Sequence, residues 1–400
     1  MVFTLLDLVA ALPWLAIAIV LPLIVRNRPR LEDVAPLEGP DLPLVSIIVP
    51  ARNEAENIGA CVATLLDSSY PNREIIVVDD HSTDGTGDIA RILAERGGGM
   101  VRLIQAAPLP DGWVGKCWAC WQGYHAARGD VLLFTDADTR HDEALLGHAV
   151  GALRATGASL LSVAPRQLMH GFWERTVLPH IFLLIYTRFR DLERVNRTRN
   201  PRDVIANGQF LLFPRSAYEA LGGHEAVKGE VVEDLRLAQR TVEMGHRIWI
   251  ARADRLMETR MYSSLAAIVE GWSKNLAMGS RNTVDAWLRP VLPWAAGTLL
   301  ILLWVVPPAV LALAIAGVLD RGLIPWATLA TGASILFWGI AYARMRVPVL
   351  NALLYPLGGL AAGLLFLRSA ALRGSVGWKG RSYQVGGGSS GIRAPGTGDS

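Results

Sequence analysis

Between residues 45 and 251 short apolar runs alternate with segments whose apolar residues recur at helical spacing. Strands are expected at 45–49, 74–78, 101–105, 131–135, 159–164, 211–214 and 247–251. Helices are expected at 54–67, 86–96, 116–127, 143–155, 216–221 and 230–244, the shortest closed by Gly222-Gly223. Such alternation predicts an α/β domain with a mainly parallel sheet covered on both faces. Ligands of these sheets bind beyond the carboxyl ends of the strands. The acidic clusters Asp79-Asp80 and Asp136-Ala137-Asp138 both fall at such ends.

A different pattern frames this domain. Residues 2–25 carry only one charge, Asp7, and are followed by Arg26, Arg28 and Arg30, which reads as an uncleaved membrane anchor with its basic flank on the cytoplasmic side. Residues 291–319, 323–343 and 347–367 are apolar and of spanning length, the first interrupted by Pro307-Pro308, where a re-entrant turn is expected. Two further stretches, 172–186 and 263–290, place aromatic and aliphatic residues beside arginines and read as helices lying in the membrane interface. The expected organisation is an anchor at 1–26, a linker at 27–44, a catalytic domain at 45–262, interfacial helices at 263–290, spans at 291–372, and a basic then disordered tail at 373–400.

Composition agrees with a soluble domain joined to membrane segments: 51% of the 400 residues are hydrophobic, and mean hydropathy is +0.30. A net charge of only +3 argues against a nucleic-acid partner, because the arginines gather beside apolar segments. Three cysteines cannot frame a disulfide-built fold, and Cys117 and Cys120 lack any companion ligand set, so they read as an inert helix face.

Asp136 and Asp138, one residue apart after a buried strand, suit a hard divalent cation such as Mg²⁺ or Mn²⁺, which keeps one or two carboxylates and takes other ligands from water and phosphates. A plain Asx-rich turn is the competing reading of an isolated pair. Asp79 and Asp80 can accept hydrogen bonds from a base and a ribose, with Pro50, Arg52 and Glu54 on the neighbouring loop. Lys116 opens a helix after a Gly-rich turn, where its ammonium can reach a diphosphate. Glu233-Asp234 stands near a helix start, where acids are favoured by the dipole whatever their role.

Taken in order, the segment 45–54, the run 77–84, Asp136-Ala137-Asp138 and Glu233-Asp234 resemble the family 2 glycosyltransferases of GT-A fold, over roughly residues 45–289. Gly112-Trp113-Val114-Gly115-Lys116, the membrane frame and the stretch Trp378 to Tyr383 narrow the likeness to hopanoid-associated and carotenoid-type membrane enzymes.

The resemblance implies an inverting, metal-dependent hexosyltransferase of the plasma membrane, multi-pass, with its catalytic domain cytoplasmic. Its nucleotide-sugar site comprises Pro50, Arg52, Glu54, Asp79, Asp80, Lys116 and Asp136, with the metal on Asp138 and Asp136. Asp234 is expected as the base, supported by Glu233. The donor is expected to be a UDP-sugar and the acceptor a hopanoid, carotenoid or polyprenyl lipid, bordered by Asn207, Gly208, Trp272 and Lys274. Processive synthases of the family carry Gln-x-x-Arg-Trp where this chain has Gly271-Trp272-Ser273-Lys274-Asn275, which favours single-sugar transfer over a polysaccharide-synthase subunit. A silent nucleotide-sugar-binding scaffold is the remaining alternative, and the intact acids argue against it.

Overall fold

The computed structural model of the protein describes residues 3–24, 29–283, 287–371, 374–378 and 381–385; side chains at 21–24, 274, 277–283 and 374–385 lie outside that description. Arg26, Arg28, Lys379, Gly380 and the expected disordered tail from 386 also lie outside it.

In chain order, α1 (Leu5–Ile24) precedes β1 (Val45–Ala51), α2 (Ile58–Leu66), β2 (Arg73–Asp79), α3 (Thr86–Arg96), β3 (Val101–Gln105), α4 (Gly115–Ala126) and β4 (Val131–Phe134). There follow β5 (Thr139–His141), α5 (Leu145–Thr156), β6 (Leu160–Ala164), β7 (Arg166–Gln167), α6 (Phe172–Arg188), α7 (Leu192–Arg197), β8 (Leu211–Pro214), α8 (Arg215–Ala220), α9 (Glu233–Glu243), β9 (Ile248–Arg252) and β10 (Met257–Thr259). The chain continues through α10 (Leu265–Thr283), α11 (Leu292–Trp304), α12 (Val306–Ile315), α13 (Ile324–Arg344) and α14 (Tyr355–Ala371) to an antiparallel hairpin of β11 (Gly374–Trp378) and β12 (Arg381–Val385).

These elements divide into two units. One comprises Arg28–Leu168, Leu192–Met261 and Gly374–Ser400; the other comprises Met1–Asn27, Met169–Asp191 and Tyr262–Arg373.

The first unit is built on a seven-stranded sheet in the order β3-β2-β1-β4-β8-β6-β9. Its strands run parallel except β8, which is antiparallel to β4 and β6. The central strands are apolar without interruption because both faces are covered. Ile47, Val49, Ile75, Val77 and Leu133 point into one core, while Ile48, Ile76, Val78, Leu132 and Phe134 point into the other. Each fully buried aliphatic side chain of this kind contributes about 1.5–3 kcal/mol. Helix α4 lies tight on the second face at Gly123, where a Cβ would collide with the Ile48 side chain.

Short β5, β10 and β7 form a three-stranded sheet beside the end of β4. It could not be read in advance, because two- and three-residue strands such as Arg166–Gln167 carry no alternation of their own.

In the second unit, Leu292–Ile315, Arg321–Arg344 and Val349–Ala371 are long and apolar enough to cross a membrane, with Leu5–Val20 a shorter apolar stretch. Small residues let these helices approach. A Cβ at Gly297 of α11 would meet the Gly363 carbonyl of α14 at 2.8 Å. Trp14 of α1 donates its indole N–H to the Leu303 carbonyl (2.6 Å) and meets Trp326 edge-on.

The helix expected to turn back at Pro307-Pro308 instead continues. Val305 N–H bonds to the Ile301 carbonyl (2.9 Å) and its own carbonyl accepts from Ala309 (3.2 Å), so the prolines occupy the first turn of α12, where a missing N–H costs little. Helix α6 is a packed element, not a two-faced one: Glu174, Thr176 and His180 are buried along with Val177, Leu178 and Ile181. Gly358 of α14 admits it, since any Cβ there would collide with Thr176 and His180.

Candidate active site

The carboxyl ends of β1, β2 and β4 lie side by side, with Ala51 opposite Asp79 and Ile48 opposite Phe134. Because β8 is reversed, it begins at this same rim, with Leu211 opposite Phe134. The loops leaving β1, β2 and β4, the loop entering β8, and the first turns of α4 and α9 therefore gather every acidic pair singled out above.

On the β1–β2 side the two loops are laced together. Arg52 donates to the Asp80 carbonyl (2.6 Å), and its guanidinium lies 4.0 Å from the Asp80 carboxylate. Asn53 and His81 both adopt left-handed backbone, at φ 52° and 55°. Asn53 N–H donates to Ser82 (3.0 Å), and its side-chain oxygen accepts from Thr83 N–H (2.9 Å). Asp79, buried at the strand end, accepts from Ser82 N–H (3.2 Å). The carboxylate of Asp84 accepts from Ala55 N–H and Thr86. Burial pushes its pKa up, and these hydrogen bonds outweigh that, leaving it below the usual range. Asp84 thus holds the loop, while Pro50 and Glu54 sit half-buried beside it.

The centre of the site is Lys116. Its ammonium lies 2.8 Å from Asp136 Oδ1 and 2.8 Å from Glu233 Oε1, tying α4 to the β4 loop and to α9. Burial drives Asp136 upward, and Glu233 and Glu54 add to this against the pull of Lys116, so it stays raised. Glu233, more deeply buried, is brought below the usual carboxylate range because Lys116 outweighs its burial. Asp138 is half-buried on the same loop as Asp136.

Asp234 accepts from Gly208 N–H at Oδ2 (2.7 Å) and from Leu235 N–H at Oδ1 (2.7 Å). Burial and the neighbouring Glu233 carboxylate raise it to about 6. At Gly208 a Cβ would stand 3.1 Å from both Asp234 Oδ2 and Lys116 Nζ, so a side chain there would crowd both groups. Asn207 is fixed by Ser162 and Gln209 (2.8 and 3.1 Å). Gly208 therefore joins Asp234, with Asn207 beside it on the loop entering β8. Trp272 belongs to the other unit, buried between Phe182 and Tyr262, and Lys274 follows on the same helix with its side chain outside the described residues.

Sequence reasoning missed the layer beneath. Thr135 donates to the Gln209 carbonyl (2.7 Å), Thr139 donates to the Asp136 carbonyl (2.7 Å), and Gln209 donates to Thr259 (2.9 Å). His141 touches Thr135 (3.1 Å), and burial lowers it to about 3, keeping it neutral. His224, also held neutral near 3 by burial, packs on Phe134 and bonds to Tyr218 (2.8 Å). Only the polar character of Thr135 and Thr139 beside the Asp pair hinted at this support.

Cys117 and Cys120 are buried free thiols, and burial raises both. The Cys117 thiol contacts the Val227 and Glu230 carbonyls (3.6 Å each), and Val114 N–H donates to the Lys228 carbonyl (2.7 Å). They pack the start of α4 onto the loop leading to Glu233. A separate apolar groove of about 620 Å³, lined by Leu37, Val131, Leu153 and Pro214, lies at the opposite ends of the strands. It holds none of these acids.

Residues 46–222 match the pattern described as glycosyl transferase family 2. The chain is 25% identical over 264 residues to 4,4'-diaponeurosporenoate glycosyltransferase of Staphylococcus haemolyticus (strain JCSC1435), covering 65% of this chain and 68% of that one. It is 28% identical over 267 residues to the enzyme of the same name from Staphylococcus aureus (strain MRSA252), covering 64% and 66%. The match thus spans about two thirds of these relatives. Among solved structures, the mannosyltransferase PcManGT from Pyrobaculum calidifontis, in complex with GDP-Man and Mn²⁺, superposes with a TM-score of 0.55 at 22% identity, covering 91% of this chain and 94% of that one.

Proposed function

Because this chain is a glycosyltransferase with a family 2 catalytic domain of GT-A fold, we propose that it moves one sugar from a nucleotide-diphosphate donor, a UDP-sugar, to an apolar lipid with inversion at the transferred carbon. The observation that carries this reading is the meeting of Asp136, Lys116, Glu233 and Asp234 on one rim of the sheet.

Asp79, Asp80, Arg52, Glu54 and Pro50 form the nucleoside side, offering carboxylates to base and ribose. Lys116 faces the diphosphate. The donor set on the β4 loop is all oxygen, from Asp136 and Asp138, which fits Mg²⁺ or Mn²⁺ and not a soft metal. A cation of this kind would draw its other ligands from substrate phosphates and water. Such an ion supplies charge neutralisation to the departing diphosphate; the similar mannosyltransferase is in complex with Mn²⁺.

Where the acceptor group is a hydroxyl, Asp234 takes its proton. Its raised value keeps it both ionised at neutral pH and basic enough to accept that proton. Gly208 N–H orients it, and Glu233, neutralised by Lys116, holds the first turn of α9. An acceptor carboxylate has no proton to give, so the weight of Asp234 separates the two acceptor chemistries. The relatives' names support a carotenoid-like acid among the hopanoid, carotenoid and polyprenyl acceptors considered. We read the chain as a multi-pass protein of the plasma membrane with its catalytic unit on the cytoplasmic side, a reading supported by three helices long and apolar enough to cross a membrane.

The test is turnover of purified protein with labelled nucleotide sugars, Mn²⁺ and a lipid extract. A lipid heavier by one sugar is expected; a polymer, or nucleotide binding without any product, overturns the reading.

A further inference from the structure

The Lys116 ammonium occupies the position of a shared cation. It bridges Asp136 Oδ1 and Glu233 Oε1 at 2.8 Å each and is only 19% exposed, with Asp234 close behind across Gly208. Asp136 lies on the loop that also carries Asp138, so the oxygen offered to a divalent ion is already neutralised from within. A dication on Asp136 would stand beside the ammonium and be repelled by it, unless anionic oxygens came between the two. The diphosphate of the donor is such a set of oxygens. Lysine suits this exchange, since its charge rides on a flexible four-carbon stem with three donors and can change partners. Glu233 keeps the side chain anchored when Asp136 is given up, because it is the more buried of the two partners, 5% exposed against 28%.

We propose that Lys116 is the internal counter-ion of the acidic site: it neutralises Asp136 in the empty enzyme, excludes a lone divalent cation, and turns to the diphosphate when donor and metal arrive together. This rests on the reading of Asp136 and Asp138 as the metal side of the site.

The test is Mn²⁺ binding to the full chain in detergent, followed by the electron paramagnetic resonance of free Mn²⁺, with and without UDP or GDP. Wild type is expected to bind Mn²⁺ at least tenfold more weakly without nucleotide than with it. In Lys116→Met the nucleotide-free affinity should rise about tenfold, and the gain from nucleotide should shrink. Lys116→Met/Glu233→Gln also removes the more buried of the two carboxylates that Lys116 neutralises, leaving only the more exposed Asp136, and should behave alike if the single variant folds poorly. Equal nucleotide-free Mn²⁺ affinity in wild type and a folded variant overturns the counter-ion role alone. Absence of Mn²⁺ binding to wild type in every condition overturns the metal reading and this inference together.

Discussion

At the scale of single residues, two positions carry the chemistry proposed here. A carboxylate raised to about 6 is protonated below that pH and cannot accept a proton, so kcat/KM should fall on an acid limb near 6 for a hydroxyl acceptor. An unperturbed carboxylate would place that limb near 4. Asp234→Asn should lower turnover by about 10²–10⁴-fold while equilibrium binding of the nucleotide stays within a few-fold. Loss of donor binding instead would move the base elsewhere. Gly208→Ala places a methyl 3.1 Å from both Asp234 and Lys116. It should reduce kcat by roughly tenfold or more, because small displacements of positioned groups are costly, with the circular dichroism spectrum unchanged. The sequence made the acids legible, since they stand in short motifs at strand ends. It did not disclose that Gly208 N–H supports Asp234, because 26 residues separate them and only the reversal of β8 brings them together.

At the scale of elements, the sheet is held by how closely α4 lies on it and by one buried acid. Gly123→Ala forces a Cβ into the Ile48 side chain and should cost about 1–3 kcal/mol of stability, read as a fall in Tm. Glu74 on β2 accepts from Ser46 (2.6 Å), from Arg128 N–H (2.7 Å) and from the guanidinium groups of Arg102 and Arg128 (2.9 Å). Burial alone would raise it, but these bonds outweigh burial and hold it below the usual range. Its stabilisation is therefore complete above the unfolded value near 4.3 and is lost as pH falls through the lowered folded value. Glu74→Gln should lower Tm at pH 7 and flatten the loss of stability on acidification; an unchanged acid profile would remove Glu74 as its cause. Strands 101–105 and 211–214 matched the reading residue for residue, because each is a short stretch dominated by strand-favouring apolar residues and bounded by glycine or proline signals. The packed character of α6 was hidden, since its aromatics and flanking arginines look alike in a core and at an interface, and Gly358, which decides the matter, is far along the chain.

At the scale of the whole molecule, the apolar helices make membrane attachment a matter of hydrocarbon and not of charge. The protein should stay in the membrane fraction after washing with high salt or alkaline carbonate and be released only by detergent; release by salt would mean electrostatic attachment. The reversal of β8 has one more consequence, for anyone who wishes to alter the protein. One backwards strand brings the candidate site residues onto a single rim of the sheet, and none of them lies at the opposite rim. There Gly98 and Gly99, ahead of β3, and Gly245, ahead of β9, are exposed, left-handed and free of near neighbours at their missing Cβ. These turns are natural ports, where a tag, a fluorophore or a fused partner can be spliced into the chain while the working edge goes untouched.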